Sequence, residues 1–115
     1  MKFIMNNEVW EILKVEKDKI VDRFNKDMEE EVNYVFGLTI YSNHEIWLNE
    51  EMCKDQMIKT LRHELTHAYI WTFGLHHLPA YEEEMVCDIV AASSFIINTV
   101  VDDFLVLEEE KEEKE

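Results

Sequence analysis

The sequence predicts an α+β fold in which a small N-terminal β-sheet and a short helix precede two longer helices. β-Branched and aromatic residues concentrate in residues 9–15 and 32–41, as is typical of strands. From Lys54 onward apolar residues recur at intervals of three and four, as is typical of helices. Only two glycines and one proline occur in 115 residues, and no linker-like stretch divides them. We therefore expect a single domain over residues 1–107.

The first half of the chain predicts about three strands and one helix. Residues 9–15 (VWEILKV) predict a strand, and the amphipathic spacing in residues 18–30 predicts a short helix. Residues 32–41 (VNYVFGLTIY) and 46–48 flank a polar turn, which predicts a β-hairpin.

The second half predicts two helices. The first begins near Lys54 and ends near Gly74, a residue suited to the position that follows a helix. The second extends from about Tyr81 to Leu107 and is strongly apolar, but Asp88 and further polar residues would be costly in lipid. We therefore expect a helix buried in the core or partly in a dimer interface, and no membrane span. Whether the chain forms such a dimer stays open.

Charge and cysteine content exclude several classes of protein. The net charge is −15, from 26 acidic and 11 basic residues, which argues against binding to nucleic acid or to anionic membranes. Residues 108–115 (EEEKEEKE) predict an acidic, disordered tail. Cys53 and Cys87 have no disulfide-framework or CxxC spacing, and the chain does not open on a signal peptide. A cytoplasmic protein with reduced thiols is the simplest expectation.

The segment His63-Glu64-Leu65-Thr66-His67 matches HExxH within the first long helix. Residues four apart share a helix face, so His63 and His67 can bind one ion, and Glu64 can border its open coordination position. Imidazoles suit Zn²⁺, and a catalytic zinc site keeps one position for water. A carboxylate beside that water can accept its proton. The motif therefore predicts a site with one zinc ion per chain and Glu64 as the general base.

Glu84 and Asp88 complete the predicted site. They lie four residues apart, so Glu84 can bind the metal while Asp88 accepts a hydrogen bond from one metal-bound histidine. A carboxylate in the apolar run VCDIVAAS needs such a partner. Glu82 and Glu83 are alternative ligands, although neither has an aspartate four residues later.

HELTH followed by E-x-x-x-D resembles the gluzincin signature of thermolysin, in which the glutamate is the third zinc ligand and the aspartate orients a histidine. TLRHELTHAYIWTFG and EEEMVCDIVAAS also resemble compact, phage-associated metallopeptidase domains of the ImmA/IrrE type. The resemblance covers about half of the chain and implies a minimal zincin-like fold with peptidase activity. We expect no counterpart of the large C-terminal domain of thermolysin-like enzymes within these 115 residues.

Further residues are candidates for contacts with a substrate or a transition state. His76 and His77 follow the first long helix, and either can stabilise an oxyanion or simply be a solvated loop residue. Tyr81 is a second candidate for that donor role. Ile46, Trp47 and Leu48 can form an edge strand that pairs with an extended peptide, or an internal strand in which Trp47 packs against a neighbour.

The sequence thus predicts a zinc metallopeptidase that acts on a peptide or protein substrate. One alternative is a catalytically silent zinc-binding module that keeps the fold for a regulatory or binding role. Another is a structural protein in which HExxH occurs by chance, which the position of Asp88 disfavours.

Overall fold

The chain builds a mixed β-sheet with helices on both faces, as a computed structural model shows for residues 1–75 and 83–114. For residues 83–88, 91, 92 and 114 only the backbone is described. These ranges contain β1 (Lys2–Met5), β2 (Glu8–Val15), α1 (Lys17–Met28), β3 (Gly37–Ile40), β4 (Glu45–Asn49), α2 (Lys54–Thr72) and α3 (Glu83–Lys114). The predicted α+β class is confirmed, with four strands within the described residues where about three were expected.

The strands lie in the order β1-β2-β4-β3, so β1 and β3 form the two edges of the sheet. β1 and β2 are antiparallel, β2 and β4 are parallel, and β3 and β4 form the predicted hairpin. A short 3-10 helix, Tyr41–Asn43, makes the turn of that hairpin. The parallel pair requires a crossover, and α1 lies within this connection.

Of the two arrangements left open for Ile46, Trp47 and Leu48, the structure has the internal strand and not the edge strand. These residues lie in β4, whose backbone is paired with β2 on one side and with β3 on the other. All three side chains are buried. A strand with two neighbours has no free edge for a peptide, so the structure has the alternative arrangement, an internal strand with a packed Trp47. The physical reason is the parallel pairing of β4 with β2, which links segments more than thirty residues apart.

The two faces of the sheet pack against different helices, because successive side chains of a strand point to opposite faces. One face packs against α2 and α3, and the other packs against α1. The larger cluster includes Trp10, Ile46, Leu48, Leu61, Leu65 and Val101, and the smaller one Val15, Ile20, Leu38, Ile40 and Trp47. α2 is therefore fixed on one face of the sheet by a continuous apolar contact.

The strand predicted over residues 32–41 is shorter than expected, because β3 begins only at Gly37. Residues 32–36 lead into β3 without belonging to a strand. The fully buried Asn49 side chain donates to the Val35 carbonyl oxygen at 3.1 Å, so a side chain satisfies this backbone group in place of a neighbouring strand.

The first strand, β1, is absent from the sequence prediction. It pairs with β2 through a two-residue turn in which Asn6 and Asn7 have φ values of 50° and 63°. Asparagine tolerates this left-handed conformation better than most residues, so the turn closes without glycine.

The tail predicted to be disordered is helical, since α3 continues through Lys114. Glutamate and lysine are good helix formers, and the helix end is tied to the sheet. Glu108 accepts from Lys14 of β2 at 2.8 Å and lies 3.7 Å from Lys111 of its own helix. Within the described residues, no helix is long and apolar enough to cross a membrane.

Candidate active site

The HExxH residues lie in the middle of α2, as predicted, with the helix turned so that their exposures differ. His63 and His67 are exposed, whereas Glu64 is only 6% exposed. Glu64 shares a helix face with Thr60 and points towards β3, and the histidines lie at the solvent border of that face. The motif thus places a buried carboxylate beside two accessible imidazoles.

The two imidazoles already have the separation that a metal requires. Their Nε2 atoms are 3.2 Å apart, and their ring planes are inclined by 76°. Two ligands of a tetrahedral zinc site with bonds of 2.0–2.1 Å are separated by about 3.3 Å. A hydrogen bond between two neutral tautomers would also account for the distance in a metal-free chain. The donor set and its spacing therefore fit zinc.

Glu64 is held by a neighbouring strand. The Thr39 hydroxyl of β3 donates to Glu64 Oε1 at 3.1 Å and lies 3.2 Å from the Glu64 carbonyl oxygen. Burial raises the pKa of the Glu64 carboxyl above its ordinary value, while His67, His63 and the Thr39 hydroxyl each lower it. A general base first accepts a proton and later releases it, and it does both best when its pKa lies near the working pH. A carboxyl pKa above its ordinary value is closer to that condition.

Gly37 allows β3 to approach α2 at this point. A Cβ atom there would lie 2.5 Å from Thr60 Cγ2, 3.0 Å from Glu64 Cγ and 3.3 Å from the Trp47 carbonyl oxygen. The shortest of these contacts is closer than Cβ atoms normally approach, so a side chain at this position would force Thr60 to shift. The absence of a side chain at Gly37 therefore sets the distance between the edge strand and the helix that carries the motif.

A cleft of about 370 Å³ opens between the start of β3 and α2. Its lining comprises Phe36, Gly37, Gln56, Lys59, Thr60, His63 and Glu64. The cleft therefore begins at the candidate catalytic residues and continues along α2 towards its N-terminus.

The other predicted site residues lie wholly or partly outside the described structure. Glu84 and Asp88 belong to the first turns of α3, but only their backbone is described. His76, His77 and Tyr81 lie outside the described residues. Among the side chains that are described, no third histidine, cysteine, aspartate or glutamate joins His63 and His67 in a metal-binding group.

Two residues of the site were missed from the sequence, namely Thr39 and Gly37. They alternate along β3 with Leu38 and Ile40, which pack on the opposite face against α1. This alternation was visible in the segment GLTI, but it indicates a site only when β3 is known to be the strand beside α2.

The chain has a mixed sheet packed against a helix that carries HExxH, and a buried glutamate lies between the sheet and the histidines. These features define a zincin-like protein. The family model described as SprT-like matches residues 8–86, which is more than half of the chain. The chain therefore belongs to the SprT-like family, whose domains are zincin-like and zinc-binding. No curated protein and no solved structure matches it.

The family match supports the zincin part of the predicted resemblance. Features specific to thermolysin or to ImmA/IrrE proteins, including an association with phages, stay predictions. The matched range includes the HExxH motif and Glu84 but ends before Asp88.

Substitution of Gly37 tests the close approach of β3 to α2. We expect Gly37→Ala to lower the free energy of unfolding by about 1–3 kcal/mol, because its Cβ would overlap the Thr60 side chain. Urea unfolding monitored by circular dichroism measures this. Gly37→Ala combined with Thr60→Ala should recover part of the loss, since the second substitution removes the overlapping methyl group. A fully stable Gly37→Ala protein would contradict the close contact.

Substitution of Thr39 tests the hydrogen bond to Glu64. Thr39→Val keeps the shape but removes the donor to the ionised carboxylate, so the pKa of Glu64 should rise. Carbon-detected NMR titration of glutamate-labelled, zinc-free protein measures the shift. Thr39→Ser keeps the hydroxyl and is the matched control, so its Glu64 should titrate close to that of the wild type. A Glu64 pKa that is equal or lower in Thr39→Val would show that this bond does not stabilise the charged form.

Proposed function

We propose that this protein is a zinc-dependent metallopeptidase that hydrolyses peptide bonds, with His63, His67 and Glu84 as zinc ligands and Glu64 as the general base. The observation that carries the proposal is the buried Glu64 carboxylate beside two Nε2 atoms 3.2 Å apart. The SprT-like family membership supports the same chemistry at the level of the zincin class.

A zinc ion held by His63, His67 and Glu84 would supply a water of lowered pKa and a positive charge beside the substrate carbonyl. Glu64 accepts the proton of the attacking water and then delivers it to the leaving nitrogen. Thr39 donates to Oε1 of Glu64, so Oε2 is the oxygen left to accept that proton. The hydrogen bond also restricts rotation of the carboxylate, so less conformational entropy is lost when substrate binds.

β3 is the strand best placed to hold a peptide substrate, in place of the internal strand β4. It is an edge strand, with β4 as its one strand neighbour among the described residues. Its residues Gly37 and Thr39 lie directly beside Glu64. A peptide that pairs with the free edge of β3 would pass close to the histidines, and main-chain pairing of this kind binds peptides with little dependence on sequence.

Glu84 and Asp88 remain the best candidates for completing the metal site. Both lie in α3, four residues apart and therefore on one side of the helix. α3 is held against α2, where Arg62 donates a hydrogen bond to Asn98. The carboxylate of Glu84 would bind the metal, and that of Asp88 would accept the outer N–H of a ligand histidine.

Loss of the general base should abolish turnover without loss of metal. We expect Glu64→Gln to lower kcat/KM by a factor on the order of 10² to 10⁴ while about one zinc per chain is retained. Cleavage of a proteome-derived peptide mixture, followed by mass spectrometry, measures activity, and elemental analysis measures zinc. Glu110→Gln, an exposed glutamate of α3, is the matched control and should behave as the wild type.

Unchanged activity in Glu64→Gln would contradict the assignment of the base. A wild-type protein that binds zinc but cleaves no peptide would instead favour the alternative, a silent zinc-binding module with a regulatory or binding role. Absence of zinc after reconstitution would leave HELTH as an ordinary helix segment.

The third ligand is tested by metal content. Zinc should be lost in Glu84→Ala, as in His63→Ala and His67→Ala, and bound about 10- to 100-fold more weakly in Asp88→Ala. Glu82→Ala and Glu83→Ala are matched controls and should retain full affinity. Competition with a chromogenic chelator measures each dissociation constant. Glu84→Ala could instead retain zinc while one of the controls, or His76→Ala or His77→Ala, loses it. That result would assign the third ligand to the residue whose substitution removes the metal.

A further inference from the structure

The cleft beside Glu64 has the dimensions of a short peptide. Its lining on α2 extends from Gln56 to His63, which corresponds to about 10 Å of helix. An extended peptide rises about 3.3 Å per residue, so about three residues fit between the histidine and the far end. One end of the cleft therefore lies at His63 and Glu64, and the other end lies about three residues of an extended peptide away.

The wall formed by the segment before β3 is apolar. Phe36 lines the cleft and is 50% exposed, so part of its ring is accessible to a ligand. Tyr34 packs edge-on against it with ring centroids 5.1 Å apart and is itself 39% exposed. This aromatic pair, Tyr34 and Phe36, offers a surface for an apolar side chain.

The wall formed by α2 carries a cation in an otherwise acidic protein. Lys59 lines the cleft one turn before His63, and within the described residues no carboxylate lies within ion-pair distance of it. The chain has a net charge of −15, and Lys59 is the lysine among the described residues that line this cleft. Among the described residues of the lining, Glu64 is the one carboxylate, and its side chain accepts a hydrogen bond from Thr39.

The direction of a bound peptide follows from the order of contacts between β3 and α2. Gly37 lies against Thr60, and Thr39 lies against Glu64, so β3 and α2 progress in the same direction. A peptide antiparallel to β3 would then place the residues that follow its scissile bond towards Phe36 and Lys59. Antiparallel pairing is slightly more stable per residue than parallel pairing, which favours this direction.

We propose that this cleft is a substrate subsite for the three residues that follow the scissile bond, with an apolar side chain against Phe36 and a carboxylate at Lys59. The carboxylate belongs either to an acidic side chain or to the C-terminus of a short peptide. The inference rests on the proposed peptidase function. Recognition acts at contact, because the repulsion of an anionic peptide by the acidic surface is screened beyond about 8 Å at physiological salt.

Cleavage-site profiling tests the subsite. A proteome-derived peptide mixture is digested with the zinc-loaded wild type, and the residues that follow each cleaved bond are counted. We expect enrichment of aspartate, glutamate or a free C-terminus at the second and third positions. Lys59→Ala should lower kcat/KM for such peptides about 10-fold, as expected for one charge-assisted hydrogen bond, and Lys59→Glu should shift the preference to lysine and arginine.

Matched variants and peptides separate the contribution of Lys59 from that of Phe36. Lys54→Ala removes the same charge from α2 outside the cleft and should leave the profile unchanged. Phe36→Ala should lose the apolar preference, while Phe95→Ala, which removes an 80% exposed phenylalanine from α3, should not. Peptides with a free or an amidated C-terminus distinguish the two sources of the carboxylate. A profile that is identical in Lys59→Ala, Lys59→Glu and the wild type would overturn the subsite.

A binding experiment without turnover tests the subsite separately from the proposed peptidase activity. Zinc-loaded Glu64→Gln is titrated with an alanine-rich fluorescent octapeptide that carries one leucine and one glutamate two residues apart, and with its glutamine counterpart. Binding that favours the glutamate peptide about 10-fold and loses this preference on Lys59→Ala supports the subsite even if the wild type cleaves nothing. Equal binding of both peptides, or binding of neither, refutes it.

Discussion

The contact between the edge strand β3 and the helix α2 is the constraint on which the candidate site depends. A carboxylate that is largely removed from water is costly unless hydrogen bonds replace the lost hydration. Glu64 is in this position, and Thr39 of β3 supplies the bond. The bond can form only because Gly37, two residues earlier in the same strand, lets the backbone approach Thr60 and Glu64. One short strand therefore fixes the orientation of the Glu64 carboxylate and also forms a wall of the adjoining cleft.

The rest of the fold holds that strand in place. β3 has a single strand neighbour among the described residues, so β4 and the packing of Leu38 and Ile40 against the α1 side determine where it lies. Asn49, at the end of β4, binds the Val35 carbonyl oxygen with its side chain and the Phe36 carbonyl oxygen with its backbone N–H. These bonds fix the segment that brings Phe36 to the cleft. The internal strand β4 thus positions the exposed Phe36 near the histidines through the bonds of Asn49.

Local features could be predicted from the sequence, whereas long-range pairing could not. Periodicity and spacings of four residues or fewer predict α2 and the hairpin of β3 and β4. They also predict that His63 and His67 lie on one face of the helix. The choice of edge strand depended on the parallel pairing of β2 with β4, for which residues 8–15 and 45–49 contain no local signal. β1 was missed because four residues and an Asn-Asn turn form a weak hairpin pattern. The acidic residues 108–114 were judged by charge, although their helix propensity and the bond from Lys14 decided the outcome. Thr39 and Gly37 belong to no chemical motif, so only the fold could identify them.

Water activation and substrate selection are separate properties of this arrangement. His63, His67 and Glu64 lie within five residues of one helix, and their geometry would serve the hydrolysis of many carbonyl compounds. Preference for a peptide must come from groups that recognise an extended main chain, and β3, which has no second strand neighbour among the described residues, lies beside Glu64. Preference among peptides must come from side chains beyond the reacting atoms, and Phe36 and Lys59 line the cleft that adjoins Glu64. Since these residues lie outside the HExxH motif, they can vary without loss of the metal chemistry. Under the proposed function, specificity would therefore depend on the few residues that flank the edge strand, and the motif alone would determine only the class of reaction.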